Sequence, residues 1–206
     1  MMTRYTVVKL VVESPFSIKG EERGSFQEIL KVPIYTERGF EALPIIPSTS
    51  LKGAFRGIAE ILGRSMRGDG RRELMRSHRR EENKVKHGIS NEKIDELLRE
   101  LEDEDRALLE RLKEGRSEEE KKDVMEGFLC PICRLFGFMG VAGKVRFSDA
   151  IPVGRPSLQH ITRTSIDRKT MKVKEERLFT EELVLGSEFR FVMVVDDLDY
   201  LEEELF

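Results

Sequence analysis

The first apolar cluster, Tyr5 to Val12, is hydrophobic in both of its alternating sets apart from Lys9, the pattern of a strand covered on both faces. The next stretch is punctuated by Gly20, Gly24, Pro33, Gly39, Pro44 and Pro47 and reads as a long exposed loop or hairpin. The period then changes. Leu51, Ala54, Phe55, Ile58, Ala59 and Leu62 recur at helical spacing up to Gly63, with Ser48 as the N-cap. Residues 64–127 are dominated by charge, and Ile94, Leu97, Leu98, Leu101, Leu108, Leu109 and Leu112 lie on one stripe. That stripe predicts a single amphipathic helix stopped by Gly115. Ser117 with Glu120 then has the form of a capping box opening a second, short helix. The stripe is narrow for a core of its own, so 64–127 is expected to be a helical insertion within one domain spanning 1–206.

Two more strands are expected at Lys144 to Asp149 and Glu188 to Val195, and a helix start after Asp196. The order strand, helix, strand, strand, helix predicts an α+β fold of ferredoxin-like (RRM-type) class, with its C-terminal strand not found before Phe206. Without that strand the first one is an unprotected edge, open to pairing with another chain.

Composition narrows the function classes. The formal net charge is −3, yet the signs segregate: 64–86 and 144–177 are rich in Lys and Arg, while 90–126 and 181–206 are acidic. A globally acidic chain can therefore present locally basic surface to a phosphate. Two cysteines, Cys130 and Cys133, cannot build a disulfide framework, and with no N-terminal apolar signal region they point to reduced thiols in the cytoplasm. No apolar run approaches the ~18 residues a membrane span needs, so no membrane partner is expected.

The densest local chemistry is Pro47-Ser48-Thr49-Ser50-Leu51-Lys52-Gly53-Ala54-Phe55-Arg56. A hydroxyl-rich turn running into a helix, with Lys52 and Arg56 four residues apart, combines helix-start amides and two cations into a phosphate site. A capped helix with surface cations explains the same residues. Gly53 tips the balance, because a glycine inside a helix costs about 1 kcal/mol relative to alanine and calls for close packing or close approach of a ligand.

That block is followed in order by Cys130-Pro131-Ile132-Cys133-Arg134-Leu135-Phe136-Gly137, Val145-Arg146-Phe147-Ser148-Asp149-Ala150 and Ser165-Ile166-Asp167-Arg168-Lys169-Thr170. Together the four resemble the RAMP superfamily of CRISPR proteins, and within it the backbone subunits of type III effector complexes. The resemblance implies a modified ferredoxin-like domain whose copies self-associate head to tail along a guide RNA, beside other effector subunits and a target RNA. It implies that Ser50, Lys52 and Arg56 contact guide phosphates, and that 163–180 forms a thumb-like hairpin wedging into the guide–target duplex. Arg163, Arg168, Lys169, Lys172 and Lys174 suit phosphate attraction there, and Ile166, Met171 and Val173 suit apolar wedges.

By spacing alone, Cys130 and Cys133 are half a zinc site or a pair of buried structural thiols. Zinc would need two further ligands, for which His78, His87 and His160 are the histidines available, and the resemblance implies His87 beside the cysteine pair in a structural zinc site. In family members that cut RNA, an aspartate stands in the loop before the serine-rich turn; here Phe26 to Pro33 holds none, and Glu28 is the nearest carboxylate. A longer side chain displaced by two or three positions would have to reach the same phosphate, so a subunit that binds without cutting is expected, with Glu28 the catalytic candidate if cutting occurs. Two rivals are an endoribonuclease processing precursor guide RNA, with His160 and Tyr35 as its acid–base candidates, and a protein-interaction module built on the amphipathic insertion.

Overall fold

The computed structural model describes residues 3–66, 74–75, 78–82, 84–166, 173–196, 198 and 202. In chain order the elements are strands β1 (Thr3–Val11), β2 (Lys19–Arg23), β3 (Phe26–Ile29), β4 (Lys31–Thr36) and β5 (Gly39–Pro44), then helix α1 (Ser48–Ser65). Strands β6 (Arg79–Glu81) and β7 (Lys84–Lys86) precede helices α2 (Asn91–Glu100), α3 (Asp103–Lys113), α4 (Glu118–Leu129) and α5 (Pro131–Phe136). Strands β8 (Val145–Phe147), β9 (Ile151–Pro152), β10 (Ser157–Ile166), β11 (Val173–Leu185) and β12 (Glu188–Asp196) complete the described elements. The architecture is mixed α+β. No helix among the described residues is long and apolar enough to cross a membrane.

Strands β1, β12 and β8 form one sheet in that order, with β9 also pairing β12, so β1 lies at an edge among the described strands. The expectation that β1 is covered on both faces does not hold. Tyr5, Val7 and Val11 are exposed, and only Val8 and Leu10 on the alternate face are half-buried. An all-apolar strand signals two covered faces only when something lies on each, and the face of β1 that carries Tyr5, Val7 and Val11 is exposed among the described residues.

The described residues of 6–51 and 147–193 make one compact unit. Its second sheet runs β10-β11-β3-β2, with β10 and β11 an antiparallel hairpin in register from Ser157↔Leu185 to Thr164↔Leu178. Strand β3 joins it parallel to β11, through Thr180↔Phe26 and Glu181↔Gln27. The segment expected as loop or hairpin holds two hairpins, β2–β3 and β4–β5. Glu182, almost fully buried, joins β10, β11, β3 and β4 by accepting from Lys31 Nζ at 2.9 Å and Ile29 N–H at 3.3 Å, with His160 Nε2 at 3.6 Å.

The described residues of 3–5, 52–146 and 194–202 make the other unit. The single amphipathic helix expected over the Ile94–Leu112 stripe is two helices, broken where Leu101 and Glu102 are extended. The sequence contains the reason. Asp103, Glu104 and Asp105 favour the electropositive start of a new helix over the middle of a long one, and Arg106 turns back to donate to the Leu98 and Leu101 carbonyls that end α2. The capping box at Ser117 and Glu120 forms as expected, with both reciprocal bonds present.

The stripe is also less narrow than it looks in sequence. Ile94 of α2, Leu109 of α3, and Val124, Phe128 and Leu129 of α4 close on Leu74 and Ile89 as one buried cluster, against which Phe138 and Val141 pack. Part of the apolar surface that 64–127 lacks is thus supplied by Phe128, Leu129, Phe138 and Val141, just past its end.

Candidate metal centre

Two local structures bring four soft or borderline donors together. The first is the junction of α4 and α5, where Cys130 is both the C-cap of one helix and the N-cap of the next, Pro131 opens α5, and Cys133 follows one turn on. Both thiols are buried and unbridged. The second is the β6–β7 hairpin, in register Arg79↔Lys86, which places His78 immediately before its first strand and His87 immediately after its second. The two imidazoles lie edge to face, with ring centroids 5.2 Å apart.

His78 Nδ1 is 2.9 Å from Cys130 Sγ and 4.0 Å from Cys133 Sγ, and His87 Nε2 is 3.8 Å from Cys133 Sγ. The four ligand atoms all lie within 4.8 Å of one another. Zn–S near 2.3 Å and Zn–N near 2.05 Å in a tetrahedron require donor separations of about 3.3–3.8 Å, so the short His78–Cys130 contact has to lengthen by roughly 0.6 Å and the widest separation in the group has to close by about 1 Å. A Cys₂His₂ donor set with no open carboxylate is the chemistry of a closed structural zinc site, and the residues fit the ion. The thiols are electrostatically unequal. Cys133 is held well below the ordinary thiol range, first because Cys130 hydrogen-bonds to it, against its burial, with His78 and His87 adding to the effect. Cys130 is pushed up, first by burial and then by that same neighbour. The direction of the Cys133 shift favours its thiolate, the form that ligates a cation.

Around the donors lies a second set of contacts. His78 Nε2 is 3.2 Å from Glu60 Oε1, and Arg56 Nε donates to that same oxygen at 3.2 Å. Arg56 also donates through Nη1 to the Gly137 carbonyl at 3.1 Å and through Nη2 to Cys133 Sγ at 3.5 Å. Across the site, His87 Nδ1 is buried with no hydrogen-bond partner among the described residues. Glu126 is buried on α4, where burial pushes its carboxyl up against the pull of Lys122 and then of His87.

The zinc ligands expected from sequence and resemblance, Cys130, Cys133 and His87, are thus brought together, and His78 joins them. In sequence His78 sits in Arg76-Ser77-His78-Arg79-Arg80, which reads as basic surface, although the ring is fully buried. The usable signal was its pairing with His87 across a hairpin whose strands are only three residues each.

The other expected site residues fall elsewhere. Arg56 is turned inward, its side chain 15 % exposed and its guanidinium spent on Glu60, Gly137 and Cys133. Ser48 does not cap α1. The helix bonds start from the Pro47 carbonyl, and the Ser48 N–H donates to the Asp149 carboxylate at 2.7 Å, so a protein carboxylate already occupies that amide. Ser50 is exposed on the first turn of α1, and Lys52, half-exposed beside it, has no ion pair among the described residues. Close packing does not account for Gly53: a Cβ built there, or at Gly57 one turn on, meets nothing within 4 Å. Glu28 is half-buried on β3. Arg163 pairs with Glu181 at 3.2 Å. Tyr35 is exposed on the β4–β5 ribbon against Phe40, while His160 stacks edge-on to Phe26 beside Glu182. Arg168, Lys169 and Lys172, and the side chain of Lys174, lie outside the described residues.

Comparison with known proteins adds two findings. The sequence model of the RAMP superfamily matches residues 30–206. Among solved structures the chain is similar to one titled "Type IV-B CRISPR Complex", at 14 % identity and a TM-score of 0.52, covering 98 % of this chain and 77 % of that one. No curated protein sequence matches.

Proposed function

The chain belongs to the RAMP superfamily, and from that premise we propose that it is a guide-RNA-binding backbone subunit of a multisubunit CRISPR effector complex, of the type III class that its motifs resemble. A ferredoxin-like core built on β1, β12 and β8, repeated head to tail through the exposed apolar face of β1, is the arrangement this reading requires. The observation that carries it is the outward face of α1. Ser50, Gly53, Ala54 and Gly57 share that face at helical spacing; among the described residues a Cβ at either glycine would meet nothing within 4 Å, and Lys52, which flanks them, has no ion pair. Helix glycines with no packing neighbour among the described residues are a stability cost explained by close approach from outside, and a sugar–phosphate backbone is the partner that Ser50 and Lys52 suit. The β10–β11 hairpin serves as the thumb, with Arg163, Arg168, Lys169, Lys172 and Lys174 meeting the guide–target duplex. The zinc held by Cys130, Cys133, His78 and His87 is structural.

Reconstitution with guide and target RNA tests the reading. Wild type should protect the guide at regular intervals, and Lys52→Ala should weaken binding and lower the slope of log affinity against log salt by about 0.7. Equal affinity and slope for the two proteins would remove α1 from the RNA.

A second reading, target-RNA cleavage, is favoured by one observation: His160, exposed on β10, is backed by the buried Glu182 carboxylate near the β3 strand that carries Glu28. In the same reconstitution, cleavage that disappears in Glu28→Ala or His160→Ala would establish it, and intact target RNA would leave binding alone.

A further inference from the structure

Helix α1 reaches the metal centre through a residue that its sequence pattern gives no reason to notice. Glu60 lies on the inner face of α1 and is only 5 % exposed, although it carries a carboxylate. Three basic side chains converge on its Oε1: His78 Nε2 and Arg56 Nε, each at 3.2 Å, and Arg80 Nη2 at 3.9 Å. A buried carboxylate is tolerated only when it is paired and hydrogen-bonded. What distinguishes this pairing is the other side of the imidazole. His78 is fully buried, and its remaining ring nitrogen, Nδ1, faces the sulfurs of Cys130 and Cys133.

A neutral imidazole that ligates through one nitrogen carries its proton on the other, and the group hydrogen-bonded to that proton sets both the ring's orientation and its basicity. His87 provides the internal contrast. It turns Nε2 toward Cys133, and its buried Nδ1 has no hydrogen-bond partner among the described residues. The two histidines thus offer opposite nitrogens, and only one is held from behind.

We propose that Glu60 is the positioning residue of the metal centre: it holds His78 as the Nε2–H tautomer with Nδ1 aimed at the ion, and Arg56 locks Glu60 in place. Arg56 is suited to this because its planar fork spans Glu60, the Gly137 carbonyl and Cys133 at once. Its charge also balances the site. Two thiolates and the Glu60 carboxylate against a divalent cation and Arg56 leave the buried group neutral, which a low-dielectric interior demands. The inference rests on the zinc-binding part of the reading above and is independent of the RNA.

The test is metal affinity, measured on the full chain by competition of Zn(II) with a chromophoric chelator and repeated with Co(II) as a spectroscopic probe. Glu60→Ala and Arg56→Gln should each weaken Zn(II) by about 10–100-fold, and Glu60→Gln, which keeps an acceptor but loses the charge, should fall between them and wild type. The Co(II) ligand-field bands should shift in the Glu60 variants and stay put in Ile61→Ala, a change on the exposed face of the same helix. The zinc-loaded wild type adds a measurement that needs no variant to fold: long-range ¹⁵N–¹H spectra should show His78 metal-bound at Nδ1 and protonated at Nε2. His78 bound through Nε2, or Glu60→Ala and Glu60→Gln both within about threefold of wild type with unshifted Co(II) bands, would overturn the proposal while leaving the metal centre standing. Failure of wild type to bind one Zn(II) per chain would overturn both.

Discussion

Replacing His78 by alanine separates the tertiary account of the metal centre from the one available in sequence. Without His78 the donors are Cys130, Cys133 and His87, the set that motif spacing and family resemblance supply. With it the set has the four donors that a closed zinc site requires. Structural zinc contributes about 10–16 kcal/mol through four donors, so one donor represents about 2.5–4 kcal/mol, or roughly 10²–10³-fold in affinity. His78→Ala and His87→Ala should therefore weaken Zn(II) by similar factors. They should differ in the metal-free protein. The His78 ring is fully buried and partners Glu60, so its loss leaves a void and a buried carboxylate short of one hydrogen bond, at about 1–3 kcal/mol. His87 has one ring nitrogen with no partner to lose, and its removal should cost clearly less. Chelator competition gives the first quantity, and urea unfolding in the presence of a strong chelator gives the second. Unchanged zinc affinity in His78→Ala would refute the four-donor site. Equal metal-free stabilities of the two variants would refute the role assigned to the Glu60 contact.

Three further outcomes follow from packing and charge. Leu109→Ala, at a fully buried position of the helical cluster, should destabilise by about 2–5 kcal/mol in denaturant unfolding, and a negligible change would mean that these helices do not bury a core of their own. Gly53→Ala should stabilise the free chain by about 0.5–1 kcal/mol in thermal unfolding, because the added methyl meets open space, while weakening guide RNA binding in a filter or gel assay. For Glu182, burial pushes the carboxyl up, but the Lys31 ammonium, the Ile29 N–H and the nearby His160 together outweigh it and hold the group below its ordinary range. Its folded pKa is depressed, so its stabilising contribution is full above the ordinary glutamate range and is lost as the pH falls through the folded value. Stability measured across the acid range should fall less steeply in Glu182→Gln than in wild type.

What the sequence by itself determined was local. Alternation and period placed β8, β12 and α1, the Ser117–Glu120 pair announced the start of α4, and ordered motifs carried the family. Each of these depends on residues close together in the chain, where spacing translates directly into geometry. Tertiary structure decided whatever depended on a partner distant in sequence. The break between α2 and α3 needed Arg106 to turn back onto the end of the preceding helix. The exposure of Tyr5, Val7 and Val11 on β1 could not be read from the apolar pattern, since such residues look the same with or without a layer over them. Above all, His78 and Glu60 gained their meaning only when a charged three-residue hairpin and the inner face of α1 met Cys130 and Cys133, because a metal site is defined by donor atoms converging in space and each donor alone carries no trace of the others.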